Sequence, residues 1–270
     1  MRIPQVVARL LGRPSLLIND VEILSELPHK DRELICFLIL FRARQHRREF
    51  LATLLWGEHP AEHSRKYLRQ SLWRLHEALT QGRVLDPRKV LVADPEWVQF
   101  ALTRSIWLDL AEFEGATTLP RSRDGGRELA RGSKAAELYR GDLLEGTSSE
   151  WCLPERERYR QLYLKFVDAL LSTCEVRKEF DRGIACAMRS LEVDPAREST
   201  YRALMRLLFM NGDRTSALRA YERCAAVIQE EFGVLPEAET EALVAEIRAG
   251  RGSLISSRAR SGPRGRGRAG

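Results

Sequence analysis

Pro60-Ala61-Glu62-His63-Ser64-Arg65-Lys66-Tyr67-Leu68-Arg69-Gln70-Ser71-Leu72-Trp73-Arg74-Leu75-His76-Glu77-Ala78-Leu79-Thr80-Gln81-Gly82 divides into two faces when wound as a helix. At about 100° per residue, Leu68, Leu72, Leu75 and Leu79 fall within about 60° of one another and make an apolar stripe. The opposite face carries His63, Lys66, Gln70, Trp73 and Glu77, with Tyr67, Arg69 and Arg74 on its flanks. Pro60 suits the first helical turn, Glu62 suits the positive end of the helix dipole, and Gly82 suits a stop. One side is therefore built to be buried. The other offers donors for phosphates and base edges and flat groups for thymine methyls, which is what a groove-reading helix needs. An amphipathic helix with an ordinary solvated face is the competing reading. Trp73 weighs against it, because a tryptophan on a polar face usually marks a contact. It could equally pack against a neighbouring hairpin.

Working outward, the preceding segment reads as a second helix from about Arg48 to Trp56, with Phe50, Leu51, Leu54 and Leu55 apolar and Gly57 as its stop. Before it, Leu34, Phe37, Leu38 and Phe41 recur at three- and four-residue steps and predict a first helix from Pro28. Val6 to Leu11, Leu16 to Ile18 and Val21 to Ile23 read as short strands, with Asn19-Asp20 a hairpin turn. After the long helix, Val84-Leu85 and Val90-Leu91-Val92 are expected to form a hairpin around Asp86-Pro87-Arg88-Lys89, with Trp97 to Leu102 as a third strand. Strands, three helices and a terminal hairpin are the order of a winged helix-turn-helix, and the short connection at Gly57 fits its turn. The expected fold is mainly α with a small β component.

In such a motif Arg42, Arg44, His46, Arg47 and Arg48 surround the junction of the first two helices, near the phosphate backbone. Arg47 and Arg48, at the start of the second helix, are the stronger candidates. Arg88 and Lys89 at the expected hairpin tip would reach phosphates or a minor groove. The candidate DNA contacts are thus Arg47, Arg48, His63, Lys66, Tyr67, Arg69, Gln70, Trp73, Arg74, Arg88 and Lys89. Gln70 suits a bidentate contact to adenine, and Arg69 or Arg74 one to guanine.

Residues 117–133 read as a linker, Gly- and Arg-rich. Beyond it the chain is helical to about residue 249. Asp181-Arg182-Gly183-Ile184-Ala185 and Asp213-Arg214-Thr215-Ser216-Ala217 each open a helix, 32 residues apart. Tyr201, Leu204, Leu207 and Leu208 mark another between them, closed by Asn211-Gly212. Helix pairs at that spacing are the tetratricopeptide pattern, here degenerate. Ala217, Tyr221, Cys224 and Ile228 are expected core, as is Trp151. The expected division is 1–108 for the winged helix, 109–250 for the tetratricopeptide-like helices, and 251–270 for a disordered basic tail.

The net charge of +6 carries no DNA argument by itself, because the tail alone holds six arginines and no acid. Residues 1–110 carry 17 basic and 13 acidic residues, and residues 111–250 carry 21 and 25. The first part is basic and the second acidic, so the second is expected to bind protein. Cys36, Cys152, Cys174, Cys186 and Cys224 are odd in number and widely spaced, which excludes a disulfide framework and a cysteine zinc site and leaves buried small hydrophobes. His59 and His63 are four apart with no third ligand in view, and read as surface histidines. No glycine-rich phosphate loop and no nucleophile constellation stands out, so no enzyme, cofactor or metal is expected. No signal peptide or membrane span is read, which predicts a cytoplasmic, nucleoid-associated protein.

Leu51-Ala52-Thr53-Leu54-Leu55-Trp56-Gly57 and Ser64 to Leu75 resemble the DNA-binding domain of SARP-type activators, whose domains are OmpR-like winged helices. Ala135-Ala136-Glu137-Leu138-Tyr139-Arg140-Gly141-Asp142-Leu143-Leu144-Glu145-Gly146 with Glu150-Trp151, and Leu191 to Glu198 with Asn211-Gly212-Asp213, resemble the bacterial transcriptional activator domain of the same family. Relatives are usually helical where residues 117–133 are Gly- and Arg-rich. The resemblance spans about residues 5–250. It implies a transcription activator that binds double-stranded DNA and recruits RNA polymerase, with a second copy of itself as a further possible partner. An interaction scaffold of tetratricopeptide type, whose winged helix no longer reads DNA, is the alternative.

Overall fold

The computed structural model describes residues 6–82, 84, 86–103, 106–118 and 125–250. The expected tail, 251–270, lies outside them. Two compact units emerge: Met1–Gly115 with Leu138–Tyr159, and Ala116–Glu137 with Arg160 onward.

The first unit opens with β1 (Val6–Arg9), β2 (Ser15–Ile18) and β3 (Val21–Glu22). Asn19 and Asp20 both take positive φ, 46° and 67°, as the expected two-residue hairpin turn requires. Helix α1 (His29–Leu40) follows, then the short strand β4 (His46–Arg47), α2 (Arg48–Trp56) and α3 (Ala61–Gln81). A helical turn α4 (Pro87–Val90) leads into β5 (Leu91–Ala93), β6 (Trp97–Phe100) and β7 (Ile106–Leu108). One sheet runs β3-β2-β1-β7, with β7 parallel to β1; the other runs β4-β6-β5. The core gathers Leu34, Leu38, Leu51, Leu55, Leu68, Leu72, Leu75, Leu79, Val98 and Phe100, all buried. The leucine stripe of α3 is thus its packed face, against α1 and α2. Ser64 at the start of α3 donates to the Trp56 carbonyl at 2.8 Å, occupying an orphan acceptor at the end of α2 and fixing how α3 leaves it. A Cβ at Gly57 would sit 2.5 Å from the Thr53 carbonyl oxygen, so the tight exit from α2 needs glycine.

Three expectations are corrected here. The terminal hairpin is β5–β6, with Asp94-Pro95-Glu96 at its turn. The segment expected as that turn coils instead into α4, because Asp86 adopts a left-handed conformation (φ 54°) and Pro87 at the first position favours a helical start. Leu85, expected in the hairpin, lies outside the described residues. Secondly, the expected linker contains helix: α5 (Asp109–Thr118) runs into its start and α6 (Gly125–Leu138) through its end. Ala135 and Ala136 are buried, and a Cβ at Gly132 would lie 2.5 Å from Leu170 Cδ1. Gly132 allows close packing rather than looseness.

Thirdly, residues 138–159 group with the first unit. Leu11 and Leu143 form a β-bridge; Gly12 N donates to Asp142 O (3.0 Å), Leu144 N to Leu10 O (2.8 Å) and Glu145 N to Gly12 O (3.0 Å). Arg156 holds the carbonyls of Leu143, Leu144 and Thr147. Trp151 is half-buried edge-on to Phe37 at 5.2 Å, with its Nε1 donating to Glu33 at 3.2 Å. It is an anchor of this unit rather than core of the helical one.

The second unit holds most of α7 (Leu153–Arg177), then α8 (Phe180–Val193), α9 (Glu198–Met210), α10 (Arg214–Phe232) and α11 (Ala238–Arg248). Successive helices pack, α8 on α9, α9 on α10, α10 on α11, which is the tetratricopeptide-like arrangement. Asp213 caps α10 by accepting from Ser216 N at 2.9 Å. Ala217, Cys224 and Ile228 are buried as expected; Tyr221 is only half-buried, its hydroxyl donating to Glu241 at 2.5 Å. All five cysteines are free and buried, and burial pushes the thiols of Cys36, Cys186 and Cys224 up to about 12. None is primed as a nucleophile.

Candidate nucleic-acid interface

The outer face of α3 presents Lys66, Arg69, Gln70 and Trp73 to solvent, Trp73 at 65% exposure. Among the described residues, the side chains of Lys66, Arg69 and Gln70 make no hydrogen bond or ion pair, so their donors are unspent. His63 is exposed one turn earlier, and Tyr67 is half-buried against Trp56, His59 and His63, ring centroids 6.5, 5.3 and 6.3 Å away. Tyr67 therefore braces the start of the face. Trp73 borders a hollow lined also by Val21, Leu27 and Glu77, on the side of the N-terminal strands.

Arg74 departs from the expected set. Its guanidinium pairs with Asp31 of α1, Nε to Oδ2 at 2.5 Å and Nη2 to Oδ1 at 2.8 Å, while Ser71 also donates to that carboxylate at 2.5 Å. Asp31 is fully buried, so it needs these donors. The bond to Asp31 also holds the guanidinium above its usual range. Arg74 is spent on tying α3 to α1.

Arg47 and Arg48 stand beside the wing. Arg47 lies over the Trp97 ring at 5.2 Å, and Arg48 donates to the Asp94 carbonyl at 2.7 Å. Both brace β6 and its turn, and Arg47 remains exposed. His46, between them and α1, is buried with its Nε2 3.0 Å from the Phe41 carbonyl; burial lowers its pKa, which favours the neutral ring. Arg42 is engaged with Glu114 at 2.5 Å. Arg88 and Lys89 sit on α4, away from the hairpin turn, and Lys89 pairs with Asp86 at 2.9 Å. The turn itself is acidic. Asp94 accepts from the backbone of Trp97 and Glu96, which holds its carboxyl below the usual range.

One residue beyond the expected set belongs to this surface. Arg65 is exposed at the start of α3, with only the exposed Glu49 near it at 3.4 Å. Its signal in the sequence was adjacency to Lys66 in the first turns of α3. Among the described residues no group of three or more His, Cys, Asp or Glu is arranged to hold a metal. No described helix is long and apolar enough to cross a membrane.

Comparison with known proteins places this geometry in context. A family model, the bacterial transcriptional activator domain, matches residues 108–248, more than half of the chain. The transcriptional regulatory protein MoaR1 of Mycobacterium tuberculosis is 25% identical over 231 residues, covering 81% of this chain and 71% of its own length. Its counterpart in Mycobacterium bovis matches to the same extent. The solved structure of Mycobacterium tuberculosis EmbR in complex with a low affinity phosphopeptide superposes with a TM-score of 0.70 at 20% identity, covering 95% of this chain and 69% of that one. That likeness shows the fold.

Proposed function

The chain belongs to the bacterial transcriptional activator domain family and is a transcription regulator of the SARP type, and from that premise we propose that it binds double-stranded DNA sequence-specifically, with α3 in the major groove. The observation that carries this is the unspent outer face of α3: Lys66, Arg69 and Gln70 exposed without partners, and Trp73 exposed beside them. Arg69 suits a bidentate contact to guanine and Gln70 one to adenine, each worth about 1–3 kcal/mol of discrimination. Lys66, Arg65 and His63 suit phosphates near the helix start, with Arg47 and Arg48 on the adjoining backbone. The acidic helical unit binds protein, RNA polymerase first, so that the regulator activates by recruitment. It works in the cytoplasm at the nucleoid, and it performs no catalysis.

Sequencing the DNA that co-purifies with the protein supplies a duplex for anisotropy titrations. Binding to it should weaken steeply with salt, as neutralising about four to six phosphates requires. Lys66→Ala with Arg69→Ala should weaken it further, reduce the salt slope by about one through the lost phosphate contact of Lys66, and relax specificity through the lost base contact of Arg69. Unchanged binding by that double variant would sink the assignment of α3. A second reading, a protein-interaction scaffold, is favoured by the acidic wing turn at Asp94 and Glu96, where a DNA backbone would be repelled. It predicts no DNA enrichment at all in the same experiment.

A further inference from the structure

The first unit carries an open cleft of about 460 Å³, bounded by the first turns of α1, the segment entering β2, the turn after β3 and the loop before α7. Its size is that of a small-molecule site. The walls combine an apolar floor from Leu24 and Cys36 with the indole of Trp151. Two arginines, Arg13 and Arg32, line the same space, and among the described residues neither guanidinium has a hydrogen bond or an ion pair. Arg32 is half-buried on this concave, partly apolar wall, and Arg13 stands exposed at its edge.

The acids of the cleft do not neutralise them. Glu22 accepts from Leu24 N at 2.8 Å and Leu16 N at 3.2 Å. Glu33, 5% exposed at its side chain, is held by Ser149 and by Trp151 Nε1 through Oε1, with Lys30 3.0 Å from Oε2. Oε2 is thus ion-paired with Lys30, and the His29 ring lies 3.9 Å from it. Glu145 sits exposed at the rim.

We propose that this cleft binds a small amphipathic organic acid, its carboxylate received by Arg13 and Arg32 and its flat apolar body against Trp151 and Leu24. The guanidinium fork matches a carboxylate bidentately, and the aromatic wall selects a ring over a flexible chain. The site is independent of the DNA reading, because Arg13 and Arg32 are not on the α3 face.

The probe is 2-naphthoate, titrated into the full chain by calorimetry, with neutral 2-naphthylmethanol as its uncharged counterpart. Saturable one-to-one binding is expected, with a Kd at or below about 1 mM. Arg13→Ala with Arg32→Ala should weaken it by about tenfold or more, as loss of a charge-assisted contact does, and the alcohol should bind weaker by a similar factor. Arg32→Gln, which keeps the length of the side chain, should lose most of the same affinity while leaving the thermal midpoint unchanged, which keeps the test valid should the double variant unfold. DNA affinity in the absence of probe should be the same for wild type and Arg32→Gln. Absence of saturable binding by wild type, equal binding of acid and alcohol, or naphthoate binding by Arg32→Gln as tight as wild type would each overturn the proposal.

Discussion

Asp31 is a carboxylate with no access to water, held by one hydroxyl and one guanidinium from α3. Removing either end of this pair is not symmetrical. Arg74→Ala leaves a buried charge with Ser71 alone, and should cost about 3–5 kcal/mol. Asp31→Ala frees a guanidinium that is already 38% exposed and can rehydrate, so the loss should be smaller, about 1–3 kcal/mol. Trp73→Ala, on the outer face next door, should move stability by no more than about 0.5 kcal/mol. Urea denaturation of the three variants checks the order. That order was hidden in the sequence, where Arg74 looks like one more basic residue on a polar flank, because its partner lies 43 positions away. The leucines of α3 were legible because their periodicity is local. Asp109 gives a second test. Its carboxylate accepts from the backbone of Leu10 and Leu11 at 2.8 and 2.9 Å, yet burial pushes its pKa up to about 6. The folded state therefore holds this proton more tightly than the unfolded chain, whose value is the ordinary 3.8. Below that value the group is protonated in both states. As pH rises from about 4 through about 6 the folded state must bear a buried charge, and stability falls by on the order of 2–3 kcal/mol. Asp109→Asn should remove this part of the pH dependence. Urea midpoints of both proteins at pH 4 and pH 7 measure it; parallel profiles would refute the shift.

At the scale of elements, the order of helices and strands was readable from apolar periodicity and from turn residues, and the failures have a common cause. Asp86-Pro87-Arg88-Lys89 carries turn residues that serve a hairpin or a helical start equally well, and the partner strand, not the local sequence, settles which. Strand β7 went unread because it is three residues long and pairs with β1, nearly a hundred residues away in sequence. Gly132 misled in the same way, since a glycine that admits a neighbouring side chain looks like one that loosens a loop. Gly183, read as part of a helix opening and found in α8, is a second close-packed glycine. A Cβ there would lie 2.8 Å from Leu207 Cδ1 and 3.0 Å from Cys174 Cβ, where α8 meets α7 and α9. Gly183→Ala should therefore overfill the packed helices and destabilise the protein by about 1–3 kcal/mol, against the usual helical gain from alanine. A thermal midpoint at or above wild type would mean that the helices part at little cost. For the recognition surface, the relocation of Arg88 and Lys89 to α4 has a measurable counterpart. Arg88→Ala with Lys89→Ala should weaken DNA binding less than Lys66→Ala with Arg69→Ala at the same salt concentration.

For the whole molecule the consequential feature is where the first unit ends. Sequence composition changes near residue 108, and the family match begins there, so a fragment of residues 1–108 looks like a complete DNA-binding domain. The packing says otherwise. Such a fragment loses Asp109, which holds the amides of Leu10 and Leu11, and it loses Leu110 and Phe113, both fully buried. It also loses the loop of Leu143 and Leu144, whose backbone pairs with residues 10–12, and Trp151 against Phe37. Each large buried side chain contributes about 1.5–3 kcal/mol, and four of them together rival the whole stability of a small domain, about 5–15 kcal/mol. The three lost backbone hydrogen bonds expose Leu10 and Leu11 as well. We expect residues 1–108 alone to be largely unfolded at 25 °C, whereas residues 1–159 should unfold cooperatively, with residues 116–137 tolerated as an unpacked connection because loop closure costs grow slowly with length. Thermal unfolding followed by circular dichroism separates the two fragments. If residues 1–108 melt as cooperatively as residues 1–159, then the segment from 138 to 159 decorates the winged helix without completing it. If they do not, α3, the helix proposed to read the groove, depends on a segment that sequence alone assigns to the other domain, and it cannot be separated from the second half of the chain without losing its support.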